Sequence, residues 1–123
     1  MRLGDLERRV MEILWAHLDS QLTARQVADD LPGYAYTTVL TVLDRLERKG
    51  LVHRERGGRA HRYRALESRE AYIAGLMREA LGTVGDRNAA LVHFAESVSA
   101  SEAAVLRRAL AASPRRRPRG PER

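Results

Sequence analysis

The stretch Tyr36-Thr37-Thr38-Val39-Leu40-Thr41-Val42-Leu43-Asp44-Arg45-Leu46-Glu47-Arg48-Lys49-Gly50-Leu51-Val52 decides the fold. Val39, Val42, Leu43 and Leu46 fall at i, i+3, i+4 and i+7, the spacing of one helical stripe. Thr37 or Thr38 can start this helix. Gly50 can close it in the left-handed conformation, after a last turn whose Arg48 and Lys49 suit the helix dipole. Beyond Gly50 the period changes. Residues 51–56 read as a strand, Gly57-Gly58 as a tight turn and residues 61–66 as the returning strand, because glycine accepts the positive φ of short hairpin loops. With its stripe buried, the helix turns Thr37, Thr38, Leu40, Thr41, Asp44, Arg45 and Arg48 outward.

Upstream, Leu3, Leu6, Val10, Ile13 and Leu14 recur at helical spacing beside Trp15, which predicts a helix over residues 4–17. Thr23 is an N-cap for a short second helix with Val27, Ala28 and Leu31 inward, ended by Pro32-Gly33. Downstream, Ser68 can cap a fourth helix with Tyr72, Ile73, Leu76, Met77, Ala80 and Leu81 on its apolar face. Asp86 can cap a fifth, carrying Ala90, Leu91, Phe94 and Val98. Ser99 and Glu102 form a capping box for a sixth, carrying Val105, Leu106, Ala109 and Leu110. The order predicts a mainly α chain with a small β-hairpin. A winged helix-turn-helix domain spans residues 1–66 and a helical domain residues 67–112. Residues 113–123 have no apolar anchor and read as a disordered basic tail.

Charge sharpens this reading. The chain of 123 residues carries +6 overall and has no cysteine. Residues 1–44 are net −3, residues 45–64 net +6, residues 65–112 net −1 and residues 113–123 net +4. A positive block on the third helix and hairpin is a polyanion footprint, and a solvated basic face is its bland counterpart. The absence of cysteine excludes a disulfide framework, a thiol nucleophile and thiolate metal ligands. No apolar run reaches the ~18 residues of a membrane span, and no signal-peptide core opens the chain, so a cytoplasmic protein without membrane insertion is expected.

A major groove about 12 Å wide admits one helix, provided that its outer face is free of core duty. Thr37, Thr38, Leu40, Thr41 and Arg45 are the residues expected to read base edges, with Leu40 meeting thymine methyls. Tyr36, Arg48, Arg59 and Arg62 are expected to hold the phosphate backbone. Asp44 opposes phosphate unless it accepts from a cytosine amino group or pairs with Arg48. A charged hairpin edge that merely blocks sheet aggregation is the alternative for the wing arginines. On these residues alone, an architectural protein that binds nucleic acid without sequence preference and a winged-helix adaptor for an acidic protein surface both stay open.

The segment 36–52, the opening Leu3-Gly4-Asp5-Leu6-Glu7, Trp15 and the wing Arg59-Ala60-His61-Arg62-Tyr63 together resemble the penicillinase-repressor family (BlaI/MecI type). Ala90-Leu91-Val92-His93-Phe94 extends the resemblance across residues 3–110. It implies a homodimeric, sequence-specific transcriptional repressor on an inverted-repeat operator, a helical dimerisation domain in the second half, and a membrane-bound metalloprotease sensor as a partner. Well-known members are cut at an Asn-Phe bond where this chain has His93-Phe94. The cysteine cluster of the copper-responsive branch has no counterpart here.

The second half favours self-association on physical grounds too. Three short amphipathic helices bury too little surface to stand alone. A twofold axis sets two recognition helices in successive major grooves, ~34 Å apart. Ile73, Leu76, Met77, Leu91, Phe94, Val98, Leu106 and Leu110 are the candidate dimerisation residues. His17, His53, His61 and His93 lack the spacing of a zinc site, and no triad, phosphate loop or carboxylate dyad is evident. No metal, cofactor or enzymatic activity is therefore expected.

Overall fold

The computed structural model describes residues 2–112; the basic tail, 113–123, lies outside them. The elements run α1 (Asp5–Ala16), β1 (Leu22–Thr23), α2 (Ala24–Asp29), α3 (Tyr36–Arg48), β2 (Val52–Gly57), β3 (Ala60–Ala65), α4 (Arg69–Gly82), α5 (Arg87–Ser97) and α6 (Ala100–Ala111). Contacts divide the chain into two units, residues 1–80 and 81–123.

In the first unit the stripe of α3 does what its spacing dictates. Val39, Val42, Leu43 and Leu46 are all buried, against Val10, Met11, Leu14 and Trp15 of α1, Val27 of α2 and Val52, Tyr63 and Ala65 of the hairpin. Thr23 caps α2: its Oγ1 accepts from the Gln26 N–H at 3.2 Å while Gln26 Oε1 accepts from the Thr23 N–H at 2.8 Å. Leu31, just beyond α2, is also buried. The first helical residue of α3 is Tyr36, with Ala35 at the N-cap position, so neither Thr37 nor Thr38 spends its hydroxyl as a cap. Gly50 takes the expected positive φ of 81°.

The sheet is antiparallel, in the order β1-β3-β2. Two residues of β1 add a third strand that sequence periodicity does not reveal, since two residues have no period. The hairpin turn sits one residue later than Gly57-Gly58. Gly57 pairs with Ala60, leaving Gly58 and Arg59 as the loop. Gly58 has φ 63° and no non-glycine residue among those described has positive φ. A left-handed first loop residue followed by an ordinary second one matches a type II′ turn. The shift places Arg59 at the very tip of the wing.

The first unit reaches past residue 66 into α4. Ser68 caps this helix, its Oγ accepting from the Ala71 N–H at 3.1 Å. Tyr72 is buried, with its ring 5.4 Å from that of Trp15, and Leu76 packs half-buried on the same core. Trp15 Nε1 donates to the Glu67 carbonyl at 3.1 Å, and Arg69 lies over the Trp15 ring and pairs with Glu12. The contact boundary thus falls inside α4, after Ala80.

In the second unit α5 and α6 carry the expected caps, Asp86 accepting from the Ala89 N–H at 3.1 Å and Ser99 from the Glu102 N–H at 3.1 Å. None of its described residues is buried. No helix among the described residues is long and apolar enough to cross a membrane.

Candidate nucleic-acid interface

At ~100° per residue, the buried stripe of α3 leaves Thr37, Thr41, Asp44 and Arg48 at the centre of the opposite face. Thr37, Thr41 and Arg48 are exposed and Asp44 half-exposed. Thr41 Oγ1 donates to the Thr37 carbonyl at 3.0 Å, so in this rotamer the hydroxyl offers lone pairs, not a proton, to an incoming base. Asp44 is neutralised in place by Arg48 at 3.0 Å, with Arg54 at 4.0 Å. The carboxylate that opposes phosphate is thereby masked. Arg48 spends charge on it, so only part of that charge remains for a backbone.

Two flanks border this central strip. On the α1 side, Thr38, Thr41 and Arg45 line a shallow depression with Gly4, Leu6, Glu7 and Lys49. Glu7 is a buried carboxylate. It accepts from the Gly4 N–H at 2.9 Å, and both its oxygens accept from Lys49 Nζ at 2.9 Å. Burial on its own raises the Glu7 pKa; the Gly4 N–H, the Lys49 ammonium and the nearby Arg45 outweigh it, leaving the carboxyl below its ordinary 4.5. Lys49 is therefore structural. It fastens the end of α3 to α1 and drops out of the set of cations free for DNA.

On the other flank, Tyr36 and Leu40 line a second depression with Thr23, Ala24, Arg25, Arg59, Ala60, His61 and Tyr63. Leu40 departs from expectation. It is half-buried and packs against the core, because the wing and α2 give it apolar cover that the periodicity of α3 alone does not show. Only its remaining surface faces the depression. Arg25, which lies outside the basic block, is brought here with its guanidinium 4.3 Å from the Tyr36 ring centre. Its signal in the sequence was its position two residues after the α2 cap, next to the helix that follows.

The wing separates its arginines by face, since directly paired residues share a side. Arg54 pairs across from Tyr63 and Arg56 from His61, on the side of the buried Tyr63 ring. Arg62 pairs across from Glu55 and Arg64 from His53, on the opposite side. Arg59 and His61 thus join Tyr36 and Leu40, whereas Arg62 is not brought to them. Arg54 is anchored by Glu47 at 3.4 Å and ties the wing to α3. Burial raises the Tyr63 phenol pKa, against the opposing influence of Arg54. Among the described residues, Arg25, Arg45, Arg56, Arg59, Arg62 and Arg64 form no ion pair. No group of three or more His, Asp or Glu among these residues is arranged to hold a metal.

The candidate dimerisation residues divide between the units. In the first, Ile73 and Met77 are exposed on α4, whereas Leu76 is half-buried and packs against its own core. In the second, Leu91, Phe94, Leu106 and Leu110 are exposed and Val98 is half-buried. Phe94, Val98 and Leu106 line a groove with Ser97, Glu102 and Val105.

Comparison with known proteins bears on both units. Residues 3–112 match the family described as Penicillinase repressor. The Mycobacterium tuberculosis protein named Transcriptional regulator BlaI, in strains CDC 1551 / Oshkosh and ATCC 25618 / H37Rv, is 53% identical over 116 residues, covering 89% of this chain and 83% of its own. Among solved structures, MepR, described as a transcription regulator of the Staphylococcus aureus multidrug efflux pump MepA, aligns with a TM-score of 0.52 at 19% identity, covering 89% of this chain and 76% of its own. A point mutant of MepR aligns equally, with a TM-score of 0.52 at 19% identity over 89% and 75% of the two chains. At that identity the MepR likeness supports the fold alone.

Proposed function

The chain belongs to the penicillinase repressor family and is a DNA-binding transcriptional repressor rather than an enzyme; from that premise we propose that it acts in the cytoplasm as a homodimer on an inverted-repeat operator. Thr37, Thr38, Thr41 and Arg45 read base edges, with the exposed remainder of Leu40 against a thymine methyl. Arg48 and Arg59 hold phosphates, Tyr36 lies beside them at the start of α3, and Arg62 reaches the backbone only from the outer side of the wing. The observation that carries this reading is the face of α3. Its threonines and Arg45 are exposed, its one carboxylate there is already paired, and an unpaired arginine caps the adjoining wing.

Homodimerisation rests on the second unit. None of its described residues is fully buried, and Leu91, Phe94, Val105, Leu106 and Leu110 are apolar and exposed. A second copy offers the same surfaces, as twofold association requires. A membrane-bound metalloprotease sensor is carried into the proposal as a partner from the family. His93-Phe94 lies within α5, so a protease acting at that bond must first unwind the helix.

The test is a titration of a duplex selected by the protein from a random pool, against a scrambled duplex of the same composition, at two salt concentrations. The repressor reading predicts a specific-to-nonspecific ratio of ~10³ or more. A steep salt dependence with a ratio near one contradicts it and favours the architectural alternative; no binding to either favours the adaptor.

A further inference from the structure

Among the described residues three arginines lie over aromatic rings, and their other commitments differ. Arg9, over Tyr34, also donates to the Tyr34 hydroxyl at 3.5 Å. Arg69, over Trp15, is paired with Glu12. Arg25, over Tyr36, has the closest ring, at 4.3 Å, and among the described residues no hydrogen bond or ion pair. Asp29 stands one helical turn further along α2, where an i, i+4 pair is available, and Arg25 does not take it.

A guanidinium lying over a ring is positioned by its face. Its N–H donors lie in its plane and stay unspent. Such a group is a preformed fork, and planar forks match the paired oxygens of phosphate. The surroundings agree. Arg25 and Tyr36 share their depression with Arg59 from the wing tip and His61 from β3, and no Asp or Glu lines it.

Resting on the DNA-binding reading above, we propose that Arg25, held by the Tyr36 ring and facing Arg59 across the depression between α2 and the wing, is a clamp for one phosphate of the DNA backbone. Arg25 and Arg59 bracket that phosphate from α2 and the wing. Tyr36 is a positioning residue. It is the first residue of α3, so the clamp also fixes how far the recognition helix advances along the groove. The clamp carries no base preference.

The experiment measures the salt dependence of binding for Arg25→Ala, Arg25→Lys, Tyr36→Phe and Tyr36→Ala in the full-length chain, on the selected duplex and on its scrambled counterpart. For Arg25→Ala, the slope of log K against log salt falls by about 1 on both duplexes, with equal fold-losses in affinity. Arg25→Lys keeps the slope but binds more weakly than wild type, since an ammonium keeps the charge without the fork. Tyr36→Phe, which keeps the ring, preserves the Arg25 contribution, whereas Tyr36→Ala diminishes it. An unchanged slope in Arg25→Ala, or a loss confined to the selected duplex, overturns the clamp. A wild-type protein that does not distinguish the two duplexes overturns sequence-specific repression and leaves the slope comparison intact on either one.

Discussion

The two units solve the problem of burial differently. In residues 1–80, α1, α2, α3, the hairpin and the start of α4 enclose Met11, Leu14, Leu43 and Leu46 with almost no exposure, and even a carboxylate, Glu7, is buried with its charge answered. Residues 81–112 have sound caps and no buried residue. Helical ends satisfied locally do not make a core. The first unit has a core of its own, and the second has none among its described residues. On the proposed reading, the unit with a closed core reads DNA and the unit with exposed apolar residues joins two copies.

The strongest way to break this comparison is to delete volume from each unit. Leu43→Ala should cost ~2–5 kcal/mol at every protein concentration, the range for a large aliphatic side chain removed from a closed core. Phe94→Asp should leave the first unit's unfolding unchanged and abolish the concentration dependence of oligomerisation measured by sedimentation. If the first unit melts with Phe94→Asp as it does with Leu43→Ala, the units are not independent.

The ion pair that fastens α3 to α1 gives the next effect. Lys49→Met leaves Glu7 buried beside Gly4 without its cation. The loss in denaturant unfolding should fall between the ~1 kcal/mol of an exposed pair and the ~3–5 kcal/mol of a buried one. Its pH dependence has a definite sign. The Glu7 pKa is lowered by folding, so its stabilising contribution is complete above the ordinary 4.5 and fades as pH falls through the folded value. The advantage of wild type over Lys49→Met should therefore be full at neutral pH and shrink in acid. An advantage that grows on acidification contradicts the assignment.

The boundary is sharpened by two truncations. A chain ending at Ala80 keeps Tyr72 on Trp15; one ending at Leu66 loses it. The shorter fragment should be less stable by ~1.5–3 kcal/mol, the worth of one large buried side chain, with the single tryptophan reporting the change in fluorescence. Equal stability would return the boundary to 66/67. On the reading face, Arg45→Ala should cost about 1–3 kcal/mol of binding to the selected duplex and relax preference at one base pair. A uniform loss on all sequences would make Arg45 a phosphate contact instead.

These particulars show what the sequence discloses and where it stops. The stripe of Val39, Val42, Leu43 and Leu46 was legible because period is a property of the helix alone. The caps at Thr23, Ser68, Asp86 and Ser99 were legible because they act within three residues. What escaped depends on neighbours brought from elsewhere in the chain. Leu40 is half-buried where it lines a depression with α2 and the wing, and Leu76 packs half-buried against the core. The turn at Gly58-Arg59 slid by one residue because two adjacent glycines satisfy the same signal, and cross-strand pairing decides between them. Arg25 was hidden by arithmetic: it sits in a stretch of net negative charge, and only the fold sets it against Tyr36. Lys49 and Arg48 counted toward the positive block, but Lys49 is paired with Glu7 and Arg48 shares its charge with Asp44.

In the proposed repressor one unit reads a half-site and the other joins two readers. The direct measurement compares the intact chain with the fragment 1–80 on duplexes carrying one half-site or two in inverted repeat. The fragment is predicted to match the intact chain on a single half-site and to gain almost nothing from the second, while the intact chain binds the pair far more tightly. A fragment that binds the inverted repeat as tightly as the intact chain would contradict it.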